Sequence, residues 1–126
     1  MTKKINLGDS ASLTRSFSEA EIAVFAEVSG DHNPVHLDEA FARATPFGGR
    51  IAHGMLGASV FSGLLGSELP GSGTIYLGQS LKFMQPVRLD QEVVFRVEVV
   101  AIHEAKPILT MRTTCTDLDG KLAIDG

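Results

Sequence analysis

Residues 54–69 constrain the fold of this chain more than any other segment. They read as one helix that ends at Pro70-Gly71, and no charged residue precedes Glu68. Four of these positions are glycine, and each glycine costs about 0.5–1 kcal/mol relative to alanine in a helix interior. Helical propensity alone does not stabilise such a segment, so we expect it to be buried, with its small residues letting a sheet pack closely around it.

The second half of the chain supplies that sheet. Four predicted strands are rich in β-branched residues or alternate in polarity, at residues 74–85, 92–104, 108–116 and, more briefly, 121–125. Turn residues separate them at hairpin-like spacing, which indicates a largely antiparallel sheet. We therefore predict an α+β fold in which one antiparallel sheet wraps around a long central helix, in a single domain spanning residues 1–126.

The first third of the chain predicts a strand and two helices. Residues 11–17 alternate in polarity, as expected for a short opening strand. Ser18 and Glu21 have the spacing of a capping box, and Gly30 is a residue type that ends helices, so we predict that the first helix lies between Ser18 and Gly30. Residues 38–45 form a second helical pattern, which Pro46 terminates.

Composition excludes several functional classes. With 44% apolar residues and no apolar run near the length of a membrane span, we expect no membrane segment, and residues 1–6 lack the apolar core of a secretory signal. A net charge of -4 with scattered basic residues argues against nucleic acid as a partner. The single cysteine, Cys115, permits no intrachain disulfide and fits a cytoplasmic location; we interpret it as a core residue.

Residues 31–36 are where we expect chemistry. They hold a carboxylate, two imidazoles and an amide between two helical patterns. Pro34 fixes its own φ and restricts the residue before it, which predicts a rigid irregular loop that holds Asp31 and His36 in a fixed relation. A second polar and glycine-containing cluster, residues 50–55, opens the apolar helix, so the fold must bring the two clusters together.

These two clusters also carry a resemblance to a known family. Asp31-x-Asn33-Pro34-x-His36, followed by His53-Gly54-Met55, resembles the signature of the MaoC-like, R-specific enoyl-CoA hydratases of the hot dog fold. Gly63-Leu64-Leu65-Gly66, Leu69-Pro70-Gly71 and residues 75–81 resemble the short hydratases that feed polyhydroxyalkanoate synthesis. Members of the family usually continue past residues 123–126 into a full final strand, so either the sequence is truncated at this point or the last strand is short.

The resemblance implies an activity and a set of partners. The expected reaction is the reversible hydration of trans-2-enoyl-CoA to (R)-3-hydroxyacyl-CoA, which makes the protein a lyase. No metal or organic cofactor is implied, since coenzyme A is part of the substrate. A homodimer is implied as well, because hot dog relatives pair through a continuous sheet with their sites at the subunit boundary.

The resemblance also assigns roles to individual residues. Asp31 and His36 would form an acid/base dyad that activates water, with Asp31 as the base and His36 orienting the water. The backbone N–H of Gly54 would stabilise the thioester oxygen at the start of the apolar helix. The substrate-binding residues would be Asn33 bracing the loop, His53 ordering the loop or lining the pocket, Ser62 in a supporting polar role, and Leu65 limiting the acyl chain to short lengths.

Each assignment has an alternative. Asp31 can be a turn residue and Ser62 a packing residue, and Arg43, Arg50, Lys82 and Arg88 can meet coenzyme A phosphates or form a solvated surface. At the level of function, the alternatives are a hot dog acyl-CoA thioesterase, a non-catalytic acyl-binding module and a metal site. The metal site would use Asp31, His32, His36 and His53, although the loop gives these imidazoles no regular spacing.

Overall fold

The computed structural model describes residues 4–126. Its elements are β1 (Ser10–Arg15), α1 (Glu19–Ser29), α2 (Pro34–Leu37), α3 (Glu39–Arg43), α4 (Gly54–Ser67), β2 (Lys82–Phe83), β3 (Val93–Ile102), β4 (Leu109–Asp117) and β5 (Leu122–Asp125). Residues 1–3, part of the segment expected to lack a secretory signal, lie outside this range. Within it, no helix combines the length and apolar character that crossing a membrane requires.

The predicted α+β architecture is confirmed. All five strands belong to one antiparallel sheet, in the order β1-β3-β4-β5-β2. Alternate residues of β3, among them Val93, Phe95 and Val97, are fully buried, as expected for a strand with one face on the core. The Phe95 ring meets Phe61 of α4 edge to face at 5.8 Å, so the core lies between the sheet and this helix.

The glycines of α4 divide into two groups. An added Cβ at Gly57 would lie 3.0 Å from Ile124 Cδ1 in β5, so glycine at this position lets helix and sheet approach closely. An added Cβ at Gly63 or Gly66 would meet no atom within 4 Å. The expectation that small residues bring the sheet close is therefore confirmed at Gly57 and wrong at Gly63 and Gly66, which lie on the exposed side of α4.

The prediction of a strand at residues 74–85 is wrong over most of that range. Only β2 forms, at the sheet edge, where Lys82 pairs with Asp125 and Phe83 with Ile124 of β5. Residues 74–81 have no ladder partner among the described residues, and an extended segment without a ladder partner is not a strand. The turn near residue 88 consequently does not form a hairpin, since β2 and β3 are not neighbours in the sheet.

The first helices position the polar cluster. Ser18 and Glu21 form both hydrogen bonds of the predicted capping box, and α1 ends at Gly30, whose φ of 77° is left-handed. The expected irregular loop is partly wrong, because Pro34 begins the one-turn helix α2 and Asn33 caps it. Proline is suited to this first helical position, since its missing N–H needs no partner there.

Candidate active site

Short-range hydrogen bonds fix the Asp31 carboxylate in the segment between the end of α1 and the start of α2. The Asp31 amide donates to Ser29 Oγ at 3.1 Å, and Asp31 Oδ1 accepts from the Asn33 amide at 3.2 Å. Asn33 Oδ1 in turn accepts from the Val35 amide at 3.2 Å. Side-chain contacts of this kind fix a turn locally. They leave the Asp31 carboxylate exposed to solvent while its position is set by its neighbours.

The His36 ring is buried and tied to the segment that precedes α4. Its Nδ1 lies 2.8 Å from the carbonyl oxygen of Ile51. A carbonyl oxygen can only accept a hydrogen bond, so Nδ1 carries the proton. In the neutral ring, Nε2 therefore keeps its lone pair and can accept a proton or a hydrogen bond from water.

His53 packs directly against His36. It is 2% exposed, and its ring centroid lies 4.0 Å from that of His36 and 4.8 Å from that of Phe25. His53 Nε2 donates to the main-chain oxygen of Asp31 at 3.0 Å, whereas Nδ1 is buried without a partner among the described residues. Burial lowers the pKa of His53, so the neutral ring is favoured even though the Asp31 carbonyl acts in the other direction.

The two polar clusters thus meet, as the sequence required. Side-chain atoms of Asp31, His36 and His53 lie within 4.8 Å of one another. His32, the fourth member of the metal set considered from sequence, is exposed and lies 4.0 Å from Glu27. His36 Nδ1 and His53 Nε2 already bond to main-chain oxygens, and the remaining nitrogen of His53 is buried. This geometry favours proton chemistry over a shared metal ion.

The N-terminus of α4 presents free amide donors beside this group. His53 is the N-cap residue but makes no side-chain cap, and its carbonyl accepts from the Leu56 and Gly57 amides. In the described part of the chain, the Gly54 amide has no acceptor. An added Cβ at Gly54 would lie 2.7 Å from the Phe83 ring, so glycine is needed for the present packing. A free N–H at the positive end of a helix stabilises negative charge on a ligand oxygen.

The remaining candidate residues of α4 lie further along the helix. Ser62 is exposed. Leu65 is 7% exposed and lines a cavity of about 1190 Å³, which is also lined by residues 72–80 and by the ends of β3 and β4. Of these two residues, only Leu65 borders the cavity, and Asp31, His36 and His53 do not line it.

Arg50 belongs to the site in a way that the sequence did not indicate. The sequence allows phosphate binding or a solvated surface for Arg50, yet its side chain is only 10% exposed. Its Nε donates to the main-chain oxygen of His36 at 2.8 Å, and Nη1 lies 3.0 Å from Glu19 Oε1. The partners are far apart in the chain, so no sequence pattern signals these contacts. Arg43, by contrast, is largely exposed, as a solvated residue should be.

Cys115 takes no part in the site. The thiol is buried in β4, and burial raises the pKa of Cys115 to about 12. A protonated thiol is a poor nucleophile, which agrees with the interpretation of Cys115 as a core residue.

Comparison with known proteins identifies the family. Residues 3–119 match the MaoC like domain. The chain is 52% identical over 124 residues to an (R)-specific enoyl-CoA hydratase of Aeromonas caviae, covering 98% of this chain and 92% of that protein. It is 48% identical over 122 residues to an (R)-specific enoyl-CoA hydratase of Rhodospirillum rubrum, covering 97% and 84%.

A solved structure agrees with these relatives. The (R)-hydratase from A. caviae involved in PHA biosynthesis superposes with a TM-score of 0.96 at 52% identity, over 98% of this chain and 94% of that one. The sequence match and the superposition cover nearly the whole chain. The chain therefore belongs to the MaoC-like domain family and has the hot dog fold.

Proposed function

We propose that this protein is an (R)-specific enoyl-CoA hydratase that adds water to trans-2-enoyl-CoA. The observation that carries this proposal is the grouping of Asp31, His36 and the free N-terminus of α4. It occurs in a chain that is 52% identical over nearly its full length to a relative of that name.

The dyad supplies the acid/base chemistry in this proposal. A water molecule donates one hydrogen bond to the Asp31 carboxylate and one to the bare Nε2 of His36. Asp31 removes a proton as the water oxygen bonds to C3 of the enoyl group, and a proton from the dyad then adds to C2, so that one H and one OH are added in total. Because the proton on His36 Nδ1 is held by the Ile51 carbonyl, the ring keeps the orientation that the water requires.

The start of α4 supplies the electrostatic stabilisation. As water adds to C3, negative charge moves onto the thioester oxygen. The Gly54 amide has no acceptor among the described residues, and it lies at the positive end of a 14-residue helix. A thioester oxygen bound there would receive a hydrogen bond that strengthens as its charge develops.

The substrate-binding residues take separate roles in this proposal. Asn33 and His53 support the Asp31 segment through main-chain hydrogen bonds, in keeping with a loop-ordering role. Leu65 limits the acyl tail where it meets the large cavity. Ser62, which is exposed and does not border that cavity, keeps a supporting polar role in the proposal. No cofactor enters the reaction, because the thioester of the substrate is itself the electron sink.

We also propose that the chain acts as a homodimer in the cytoplasm. Ile75 and Leu77 are 76% and 72% exposed, and the unpaired segment that carries them borders the sheet edge. Apolar residues clustered at a sheet edge favour association with a second copy. The reduced, buried Cys115 is compatible with a cytoplasmic location.

Product analysis tests the activity. The purified protein is incubated with short trans-2-enoyl-CoA substrates, and the absorbance of the conjugated thioester is followed together with free thiol. We expect the absorbance to fall without thiol release and the product to be the (R)-3-hydroxyacyl-CoA. Release of stoichiometric coenzyme A would indicate the thioesterase alternative, and binding without turnover would indicate an acyl-binding module.

A further inference from the structure

Helix α2 presents His36 but has few interactions of its own. It is a single turn, Pro34–Leu37, closed by the hydrogen bonds from His36 N to Asn33 O and from Asp38 N to Pro34 O. A helix this short is not stable in isolation, and the carbonyl groups of its last turn have no partner within the helix. The position of His36 therefore depends on whatever binds the carboxyl end of α2 from outside.

Arg50 makes that contact. Its Nε donates to the main-chain oxygen of His36 at 2.8 Å, so a buried cation binds the negative end of α2. The other side of the guanidinium is fixed by Glu19 in the first turn of α1, at 3.0 Å. A 10% exposed arginine with both sides of its planar fork engaged is held in one orientation.

Ile51, the residue after Arg50, binds the side chain of His36. The Ile51 carbonyl accepts from His36 Nδ1 at 2.8 Å, and the Ile51 amide lies 3.3 Å from Val35 O in the same helix. Adjacent residues thus bind His36 by its main chain and by its ring. Loss of the Arg50 contact would free the end of α2 and shift the ring relative to both Ile51 and Asp31.

We infer that Arg50 is a positioning residue of the hydratase site, which fixes His36 without touching substrate. This inference rests on the proposed function, and it assigns Arg50 neither to the solvated surface nor to a coenzyme A phosphate. Because a misplacement of about 1 Å can cost on the order of 100-fold in rate, the expected effect is on turnover.

The test compares Arg50→Met with Arg43→Met. Both substitutions remove a guanidinium that pairs with a glutamate, but Arg43 is exposed and its side chain makes no hydrogen bond to α2 among the described residues. We expect kcat of Arg50→Met to fall about 10- to 100-fold with KM within about threefold, and Arg43→Met to match the wild type. Arg50→Lys should be intermediate, since lysine keeps the charge but not the planar fork.

A second measurement does not depend on activity. The ¹⁵N signals of the His36 ring should show the Nδ1–H form in the wild type and in Arg43→Met, and a mixture of ring forms in Arg50→Met. If Arg50→Met does not fold, Arg50→Lys carries both measurements. Unchanged kcat and ring signals in the folded variant would overturn the inference, as would a raised KM at unchanged kcat, which indicates a phosphate contact. An inactive wild type with the predicted ring signals would refute the hydratase function but not the positioning of His36.

Discussion

The imidazole rings of His36 and His53 pack against each other, and each is bound to the main chain through a different ring nitrogen. His36 donates through Nδ1 to Ile51, and His53 donates through Nε2 to Asp31. The free nitrogen of His53 is fully buried, so it cannot reach substrate. At the scale of single residues, we therefore propose that proton transfer belongs to His36 and Asp31, while His53 binds the main chain of Asp31.

The dyad gives the first residue-scale prediction. Asp31→Asn keeps the size of the side chain but removes the base, and turnover should fall by on the order of 10² to 10⁴. The turnover of His36→Ala should fall by a comparable factor. Because the proposed mechanism has both groups act on one water, it predicts that the double variant is far less impaired than the product of the two single defects. Hydratase rates and thermal midpoints of all three variants are the measurement, with His32→Ala as the exposed control; near-normal turnover in Asp31→Asn would refute the mechanism.

His53 gives a prediction about pH. Burial lowers the pKa of His53 below its ordinary value of 6.5, so the unfolded chain binds a proton that the folded chain does not. The free energy of unfolding should therefore decrease as pH falls below about 6.5, by at most about 1.4 kcal/mol per pH unit for this one group. The free energy of unfolding, measured with urea between pH 8 and 5, should depend less steeply on pH in His53→Gln than in the wild type. Equal slopes would mean that His53 is charged or solvated in the folded protein.

At the scale of elements, α4 serves three purposes along its length. Its first residues offer amide donors, Gly57 lets β5 approach, and Leu65 borders the large cavity. The helix holds these features on one rigid rod, about 1.5 Å apart per residue. Because Leu65 borders the cavity, we predict that this helix influences which acyl chains fit.

Leu65 gives a prediction about the length of the acyl chain that the protein accepts. Leu65→Ala should raise the relative rate on longer enoyl-CoA substrates, because the side chain would no longer end the acyl pocket. The substitution should also cost about 2–5 kcal/mol of stability, since Leu65 is 7% exposed. Leu64→Ala is the matched control: it is equally buried but does not line the cavity, so it should lose stability without a change in chain-length profile. An unchanged profile in folded Leu65→Ala would place the acyl tail elsewhere.

At the scale of the whole molecule, the exposed segment near residues 74–81 is where we expect a second copy of the chain to bind. We predict a two-fold symmetric homodimer, observable by sedimentation at assay concentration. Leu77→Asp should weaken it, because a charge would be buried where two copies meet. Leu118→Asp, at a similarly exposed leucine in the turn between β4 and β5, should not. A fully active wild-type monomer would exclude the dimer.

Much of the fold could be predicted from sequence because the signals are local. The capping box of α1, the alternation in β3 and the uncharged run of α4 each act over a few residues, and all three elements formed where predicted. The strand at residues 74–85 failed for the opposite reason. A strand needs a partner, and whether β5 extends far enough to supply one is not encoded in the strand itself.

The candidate site divides in the same way. Chain order alone places Asp31 and His36 in one short segment and His53-Gly54 at the start of the apolar helix. The groups that bind these residues come from distant parts of the chain: His53 bonds to Asp31 across 22 residues, and His36 bonds to Ile51 across 15. Arg50 reaches His36 across 14 residues. Such contacts arise when packed elements bring distant main-chain groups together, so local propensity carries no information about them.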